Sequence, residues 1–281
     1  MNLFLFQLRN EFKKLFARKR TYIGFVAFLI VECAVLFLLN LPKPKEFFRH
    51  TIEKNGYGFD EYFSGLTLGL FMLEWTTLLL GGLYLSLVSG DVVAKEVEDG
   101  TMRMMLCRPV ARTRIIIIKY LACLGYTGVL IGFIGVTALI AGICYRGLGG
   151  LFVFAPLEKI FALYKLQEGL VRYFGALAML AFSLATISSI GFMFSCFKIK
   201  PATATISTLS LVFLDSIFRN IPYFESLQPY FITTHMSTWL NVFQPHIPWE
   251  RVMEDYAYLV GLNATCLVIA LATFERRDFK G

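Results

Sequence analysis

Residues 115–145 read IIIIKYLACLGYTGVLIGFIGVTALIAGICY, and Lys119 is the only charged residue in this run. A helix needs about 20 residues to cross the hydrocarbon core of a bilayer, so the run is long enough to span it. No water-soluble fold could carry a surface of this kind. The run therefore predicts a transmembrane helix.

Five further apolar runs share this character. They lie at 21–41, 64–90, 169–197, 202–214 and 256–274, and the run at 202–214 needs 215–219 to reach spanning length. The chain is 57% hydrophobic and 17% charged, whereas a soluble domain has roughly 25% charged residues. The alternating pattern of a membrane barrel is absent. The sequence predicts an all-α polytopic membrane protein with six transmembrane helices, forming one domain over residues 1–281.

Orientation follows from the distribution of Lys and Arg, which concentrate on the cytoplasmic side. They are dense in 1–20 and 91–119, with smaller groups after the fourth and sixth runs, and sparser in the other segments. Both termini are therefore expected in the cytoplasm, with 42–62, 147–171 and 220–250 outside. The net charge of +7 is explained by this topology and needs no nucleic-acid partner. The first run reads as a retained membrane anchor.

Two kinds of segment outside the spans also carry apolar residues. Residues 1–20 predict an amphipathic helix lying in the plane of the membrane, apolar side in the acyl boundary and basic side among lipid phosphates. Its apolar positions are Leu5, Leu8, Phe12 and Leu15. The alternative is a basic anchor that only sets topology.

The outer segments 147–172 and 220–250, rich in aromatic residues, predict short interfacial or re-entrant helices.

The cytoplasmic segment 91–113 is unlike a plain linker. An acidic cluster that includes Glu96 and Glu98 precedes Gly100, which permits a tight turn, and Thr101, which can cap a short helix. Pro109 would end that helix. Its predicted apolar face consists of Met102, Met105 and Leu106. An apolar face exposed to the cytosol predicts a protein partner, and an ordinary solvated charged loop is the alternative.

This segment resembles a known one. The pattern Glu96-x3-Gly100-Thr101-x4-Leu106-x2-Pro109-Val110-x-Arg112 resembles the loop after the second span in permease subunits of type-2 ATP-binding cassette exporters. The ending Phe274-Glu275-Arg276-Arg277-Asp278 is similar to the close of those permeases. The resemblance extends to the whole layout of the chain. One departure is Ala111, where a small hydroxyl residue is expected.

The resemblance implies a coupling helix seated in a groove of a separate cytosolic ATPase. The residues expected to couple are Glu96, Glu98, Gly100, Thr101, Met102, Arg103, Met105, Leu106, Pro109 and Arg112. The chain contains no GxxxxGK[ST] phosphate loop, so Mg-ATP is expected in the partner and no cofactor in this chain. Six spans are half of the usual twelve, which implies a second permease copy, as a homodimer or with a related chain. The location implied is the cytoplasmic (inner) membrane of a prokaryote.

Two acidic residues fall deep inside predicted spans. Glu32 and Glu74 each lie about eleven residues into a run, roughly 16 Å deep at 1.5 Å per residue. Charges at that depth are costly and usually face the protein interior. Both are candidates for a translocation path, and a buried hydrogen bond between helices is the alternative. Three scattered histidines, His50, His235 and His246, do not predict a metal site.

Taken with the resemblance, these features favour the membrane-spanning subunit of an ATP-driven exporter for an amphipathic or lipid-like substrate, and not an enzyme. Two rival interpretations remain at this point. One is a transporter or channel that needs no ATPase, and the other is a membrane anchor for a cytosolic complex. The six cysteines form no CxxC pair and none lies in an outer loop, so no disulfide framework is expected.

Overall fold

The computed structural model describes residues 2–107, 111–158 and 160–277. Its helices, in chain order, are α1 (Asn2–Ala17), α2 (Lys19–Leu39), α3 (Pro42–Lys54), α4 (Phe59–Tyr62), α5 (Gly65–Thr76), α6 (Gly82–Glu98), α7 (Thr101–Leu106), α8 (Arg112–Arg146), α9 (Leu166–Cys196), α10 (Pro201–Arg219), α11 (Ile232–Met236) and α12 (Trp249–Glu275). Six helical segments are long and apolar enough to cross a membrane. Each overlaps a predicted run, which confirms the all-α polytopic fold.

The second span is one continuous helix made of three parts. A π-helical turn, Thr77–Gly81, joins α5 to α6, and the span runs from Gly65 to Glu98. Ser64 caps its start, because the Ser64 hydroxyl oxygen accepts a hydrogen bond from the Leu66 N–H at 3.1 Å. The helix continues past residue 90, where the predicted run ended, so residues 91–98 of the segment 91–113 belong to the same helix as the second span.

The fourth span, α9, is the centre of the molecule. It packs against α6, α8, α10 and α12. Of its most apolar stretch 67% is buried, compared with 17% for α10 and 22% for α12. Helices α10 and α12 therefore turn most of their apolar surface away from the rest of the chain, towards lipid or another membrane protein.

The first helix, α1, agrees with the predicted amphipathic helix and is separated from α2 by an extended residue, Arg18. Part of its apolar side contacts protein instead of the acyl boundary to which the sequence assigned it. Leu15 is 4% exposed, and a Cβ added at Gly125 of α8 would lie 2.3 Å from the Phe12 ring. Leu5 keeps 52% of its surface exposed. The helix is thus docked on the third span.

One outer segment differs from its prediction. Strands β1 (Leu151–Ala155) and β2 (Ile160–Tyr164) form an antiparallel hairpin with Leu151 opposite Tyr164, where short helices were expected. That expectation is wrong for 147–172. Aromatic and branched residues favour extended strands, and Pro156 opens the turn between them. The Phe152 N–H donates to the Thr67 hydroxyl at 2.8 Å, which holds the hairpin on α5.

The other outer segment, 220–250, consists of short helices as predicted. They are the 3₁₀ segments Pro222–Tyr230 and Ser237–Phe243, with α11 between them. Asp215 at the end of α10 accepts hydrogen bonds from the N–H groups of Ile232 and Thr233, at 3.1 and 2.7 Å. These bonds fasten the start of α11 to the fifth span.

Candidate functional site

The segment 91–113 forms a short helix between two long ones. Helix α6 ends at Glu98, α7 begins at Thr101, and the chain enters α8 at Arg112. Gly100 has φ = +73°, in the left-handed region that favours glycine, at the position where the sequence predicted a tight turn. Glu98 is exposed beside it. Pro109 lies outside the described residues, as do the side chains of Arg103 and Leu106.

Thr101 is the first residue of α7, but its hydroxyl serves the preceding helix. The hydroxyl donates a hydrogen bond to the Glu96 carbonyl at 3.1 Å. An N-cap residue would instead accept a bond from its own helix. Thr101 therefore satisfies one of the carbonyls left open at the end of α6, and the turn at Gly100 is tied to the second span.

The predicted apolar face of α7 points partly inward, which corrects the expectation of an exposed face. Met102 is fully buried in the hydrophobic core. The Met105 sulfur lies 4.0 Å from the Lys14 ammonium of α1. Met104, which the sequence analysis did not include, is 67% exposed. Among the described side chains of α7, Met104 is therefore the exposed apolar one, while Met102 anchors the helix.

Four charged side chains from three helices meet next to this segment. The ammonium of Lys119 (α8) lies 2.8 Å from the Glu11 carboxylate of α1 and 2.8 Å from the Glu96 carboxylate of α6. Lys14 lies 2.7 Å from Glu11 and 3.9 Å from Glu96. The Lys119 side chain is completely buried, so these two carboxylates are the counter-charges that allow it there. We call Glu11, Lys14, Glu96 and Lys119 the charge cluster.

The charge cluster changes the electrostatics of Glu11. Burial by itself would raise the pKa of this carboxyl, but Lys119 and Lys14 outweigh the effect and the pKa is lowered from its ordinary value. Glu11 is therefore ionised at neutral pH. The cluster holds α1 against both helices that flank α7.

Arg112, the predicted coupling cation, contacts the C-terminal region of this chain. Its guanidinium donates to the carbonyls of Glu275 and Arg277, each at 3.2 Å. Arg277 in turn donates to the carbonyls of Cys196 and Phe197, at 3.3 and 3.0 Å. Cations at helix ends satisfy open carbonyls in this way. The ends of α9 and α12 and the start of α8 are joined as a result.

The two acidic residues inside the spans have different surroundings. Glu32 is 2% exposed, and the Thr137 hydroxyl of α8 donates to its carboxylate at 2.9 Å. Of the two roles considered for Glu32, this contact favours a buried hydrogen bond between helices over a place in a translocation path. Glu74 is half-buried one turn before the π-helical segment, and within the described ranges its carboxylate has no hydrogen-bond or ion-pair partner.

Sequence reasoning missed Glu11 and the role of Lys119, although a signal for both was present. Lys119 is a lone charge in an apolar run, and such a charge requires a buried counter-ion. Glu11 is the only acidic residue among the first twenty, and it stands within a helix of basic residues. Together these facts point to a contact between α1 and α8.

Comparison with known proteins agrees with this layout. A family model described as ABC-2 family transporter protein matches residues 7–279. The chain is also 30% identical over 115 residues to "Uncharacterized protein YhcI" of Bacillus subtilis (strain 168). That match covers 39% of this chain and 36% of the relative, so it spans little more than a third of the relative's length. Because the family model extends from α1 to the C-terminal segment, the chain belongs to the ABC-2 family of transporter membrane proteins.

Proposed function

We propose that this chain is the membrane-spanning subunit of an ATP-driven exporter and couples to a separate cytosolic ATPase through residues 91–113. The observation that carries the proposal is the placement of α7 between the ends of the second and third spans, with Met104 exposed. A large apolar side chain on a short projecting helix suits a groove on a partner protein. ATP, with its magnesium ion, would bind and be hydrolysed in that partner.

The charge cluster supplies a route by which α7 acts on the spans. Lys119 forms ion pairs with two carboxylates, one from α1 and one from α6. A displacement of α7 therefore moves α1, α6 and α8 together, because separating any of them would leave a buried charge unpaired. In this scheme Glu96 transmits force inside the subunit and Met104 receives it from the ATPase.

A second copy of the chain completes the proposed transporter. Spans α10 and α12 leave most of their apolar surface uncovered, which provides room for a homodimer contact as well as for lipid. Glu74, half-buried and without a described partner, is the better of the two candidates for a path taken by an amphipathic or lipid-like substrate. The proposed location is the cytoplasmic membrane of a prokaryote, with both termini in the cytoplasm.

The test is recovery of the ATPase by the tagged chain from its native membranes, with partners identified by mass spectrometry. We expect an ATP-binding cassette ATPase in stoichiometric amount. Met104→Asp should lower its recovery about tenfold, because a charge would be buried in an apolar groove. Leu148→Asp is the matched control, since Leu148 is 61% exposed on the opposite, outer side, and it should leave recovery unchanged.

A second pair of variants tests the turn. Gly100→Val places a β-branched residue at φ = +73° and should reduce both ATPase recovery and transport, whereas Gly100→Asn should be tolerated because Asn adopts this conformation more readily. No ATPase bound to the native chain would favour the transporter or channel without an ATPase. An ATPase bound equally by Met104→Asp and Gly100→Val would show that coupling does not use this segment.

A further inference from the structure

A cavity of about 380 Å³ lies where α2 begins and α6 ends, lined by Arg18, Lys19, Asp91, Lys95 and Asp99. Both helices belong to membrane spans, so the cavity lies where the spans leave the hydrocarbon core for the headgroup region. We propose that it binds the headgroup of a phospholipid that carries both a phosphate and a primary ammonium group, as phosphatidylethanolamine does.

The end of the cavity formed by α2 suits the phosphate. Arg18 is the N-cap residue of α2 and Lys19 is its first residue. The first turn of a helix has backbone N–H groups without partners in the helix and carries a partial positive charge, so anions bind there. Two cationic side chains at the same place add charge-assisted hydrogen bonds to the phosphate oxygens.

The end formed by α6 suits the ammonium group. Asp91, Lys95 and Asp99 recur at every fourth residue and therefore share one face of the helix. Asp99 is the C-cap residue, where open carbonyls carry partial negative charge, and its side chain is exposed. Asp91 is 5% exposed and has a partner of its own, so Asp99 is the carboxylate assigned to the ligand.

The two spans that border the cavity are held together by direct contacts outside its lining. The Tyr84 hydroxyl of α6 donates to the Thr21 carbonyl of α2 at 3.2 Å. The Tyr84 ring also lies against Gly24, where an added Cβ would come within 2.1 Å of it. The Thr21 hydroxyl donates to the Leu15 carbonyl at 2.6 Å, which fixes the bend between α1 and α2. The helices that carry the charges at the two ends are thus fixed relative to each other.

This arrangement predicts a choice among phospholipids. Phosphatidylglycerol carries the phosphate but places no cation opposite Asp99, and phosphatidylcholine carries a quaternary ammonium that cannot donate a hydrogen bond. The choice arises because only the ethanolamine headgroup can add a charge-assisted hydrogen bond to the Asp99 carboxylate. The ethanolamine lipid should therefore be retained roughly tenfold better than either of the others.

Native mass spectrometry of the purified full chain, with each of the three lipids added in turn, measures this retention. Arg18→Gln combined with Lys19→Gln should weaken retention of the ethanolamine lipid about tenfold. Asp99→Asn should remove the preference over phosphatidylglycerol. Arg9→Gln combined with Lys13→Gln, which removes the same two positive charges from exposed positions of α1 outside the cavity, should alter neither.

Equal retention of the three lipids by the native chain would overturn the proposal, as would an unchanged preference in Asp99→Asn. Asp99 is exposed and its substitution leaves the bend between α1 and α2 intact, so this result does not depend on the folding of the double variant. Glycerophosphoethanolamine, which has the same headgroup without acyl chains, should bind at least tenfold more weakly. Equal binding of that soluble compound would overturn the lipid assignment.

Discussion

At the residue scale, Lys119 has the largest expected effect on folding. Lys119→Met keeps most of the side-chain length but removes the positive charge. The carboxylates of Glu11 and Glu96, which are nearly buried, then lose this counter-charge. Breaking a buried ion pair in this way costs about 3–5 kcal/mol. We expect a large drop in the thermal unfolding midpoint of the purified chain in detergent, measured by the exposure of buried cysteines to a thiol-reactive dye.

Two further variants test whether the loss of stability comes from the unpaired buried carboxylates or simply from the removal of a lysine. Lys13→Met removes the same charge from an exposed position of α1 and should change stability by no more than about 0.5 kcal/mol. Adding Glu11→Gln and Glu96→Gln to Lys119→Met neutralises the stranded carboxylates and should recover part of the loss. A midpoint for Lys119→Met equal to that of Lys13→Met would contradict the account of the charge cluster.

Glu11 predicts a dependence of stability on pH. Its pKa is lowered in the folded chain from the ordinary 4.5, so its ionisation stabilises the fold above that value. The contribution is lost as the pH falls through the folded-state pKa. Comparing the native chain with Glu11→Gln, we expect the difference in unfolding midpoint to be full at pH 7 and to shrink below pH 4.5. A difference that stays constant down to pH 3 would exclude this origin.

At the scale of elements, the crossing of α5 and α8 depends on glycine. A Cβ at Gly142 would lie 2.2 Å from the Gly65 carbonyl oxygen, so the two backbones are nearly in contact. Gly142→Ala should force the helices apart and destabilise the chain by about 1–3 kcal/mol or more. The matched control is Gly132→Ala in the same helix, where nothing lies within 4 Å and alanine should be neutral or stabilising.

Proteolysis of the two variants in detergent, at increasing temperature, compares their stabilities directly. Gly142→Ala should be cleaved at a lower temperature than the native chain, and Gly132→Ala should not. Equal resistance of both variants would mean that the two spans can separate without cost. It would also remove the reason for glycine at this crossing.

The elements themselves were predictable to very different degrees. Apolar length alone predicts the six spans, because insertion in a bilayer depends on it and on little else. The hairpin at 151–164 was not predicted, since its aromatic residues fit an interfacial helix and a strand equally well by composition. The end of α6 was misjudged because Asp91 and Glu96 are polar in sequence but buried in the fold.

The candidate site was predictable where backbone chemistry decides it. A tight turn could be assigned to Gly100 because glycine adopts conformations that few other residues do, and the structure has a turn there with φ = +73°. The inward face of α7 could not be assigned, since six residues in a helix do not reveal which side meets the neighbouring spans. The contact between Glu11 and Lys119 joins positions 108 residues apart, and periodicity within a segment does not report on it.

At the scale of the whole molecule, the charge distribution predicts which ends face the cytoplasm. Glu53 lies in the last turn of α3, beside the outer segments, and Glu98 ends α6 at the opposite end of the second span. In a background without native cysteines, Glu53→Cys should react with a membrane-impermeant maleimide in intact cells. Glu98→Cys should react only after the cells are opened. Reaction of both in intact cells, or the reverse order, would overturn the predicted topology.

The π-helical turn in the second span determines in which direction around the helix axis the side chains of α6 point. It places one more residue in the turn than an α-helix does, so α6 is rotated by about 100° relative to an uninterrupted continuation of α5. Asp91, Lys95 and Glu96 owe their directions to this offset, although they lie more than two turns away. One extra residue within the second span therefore determines which neighbouring helix each charged side chain at the end of the span faces.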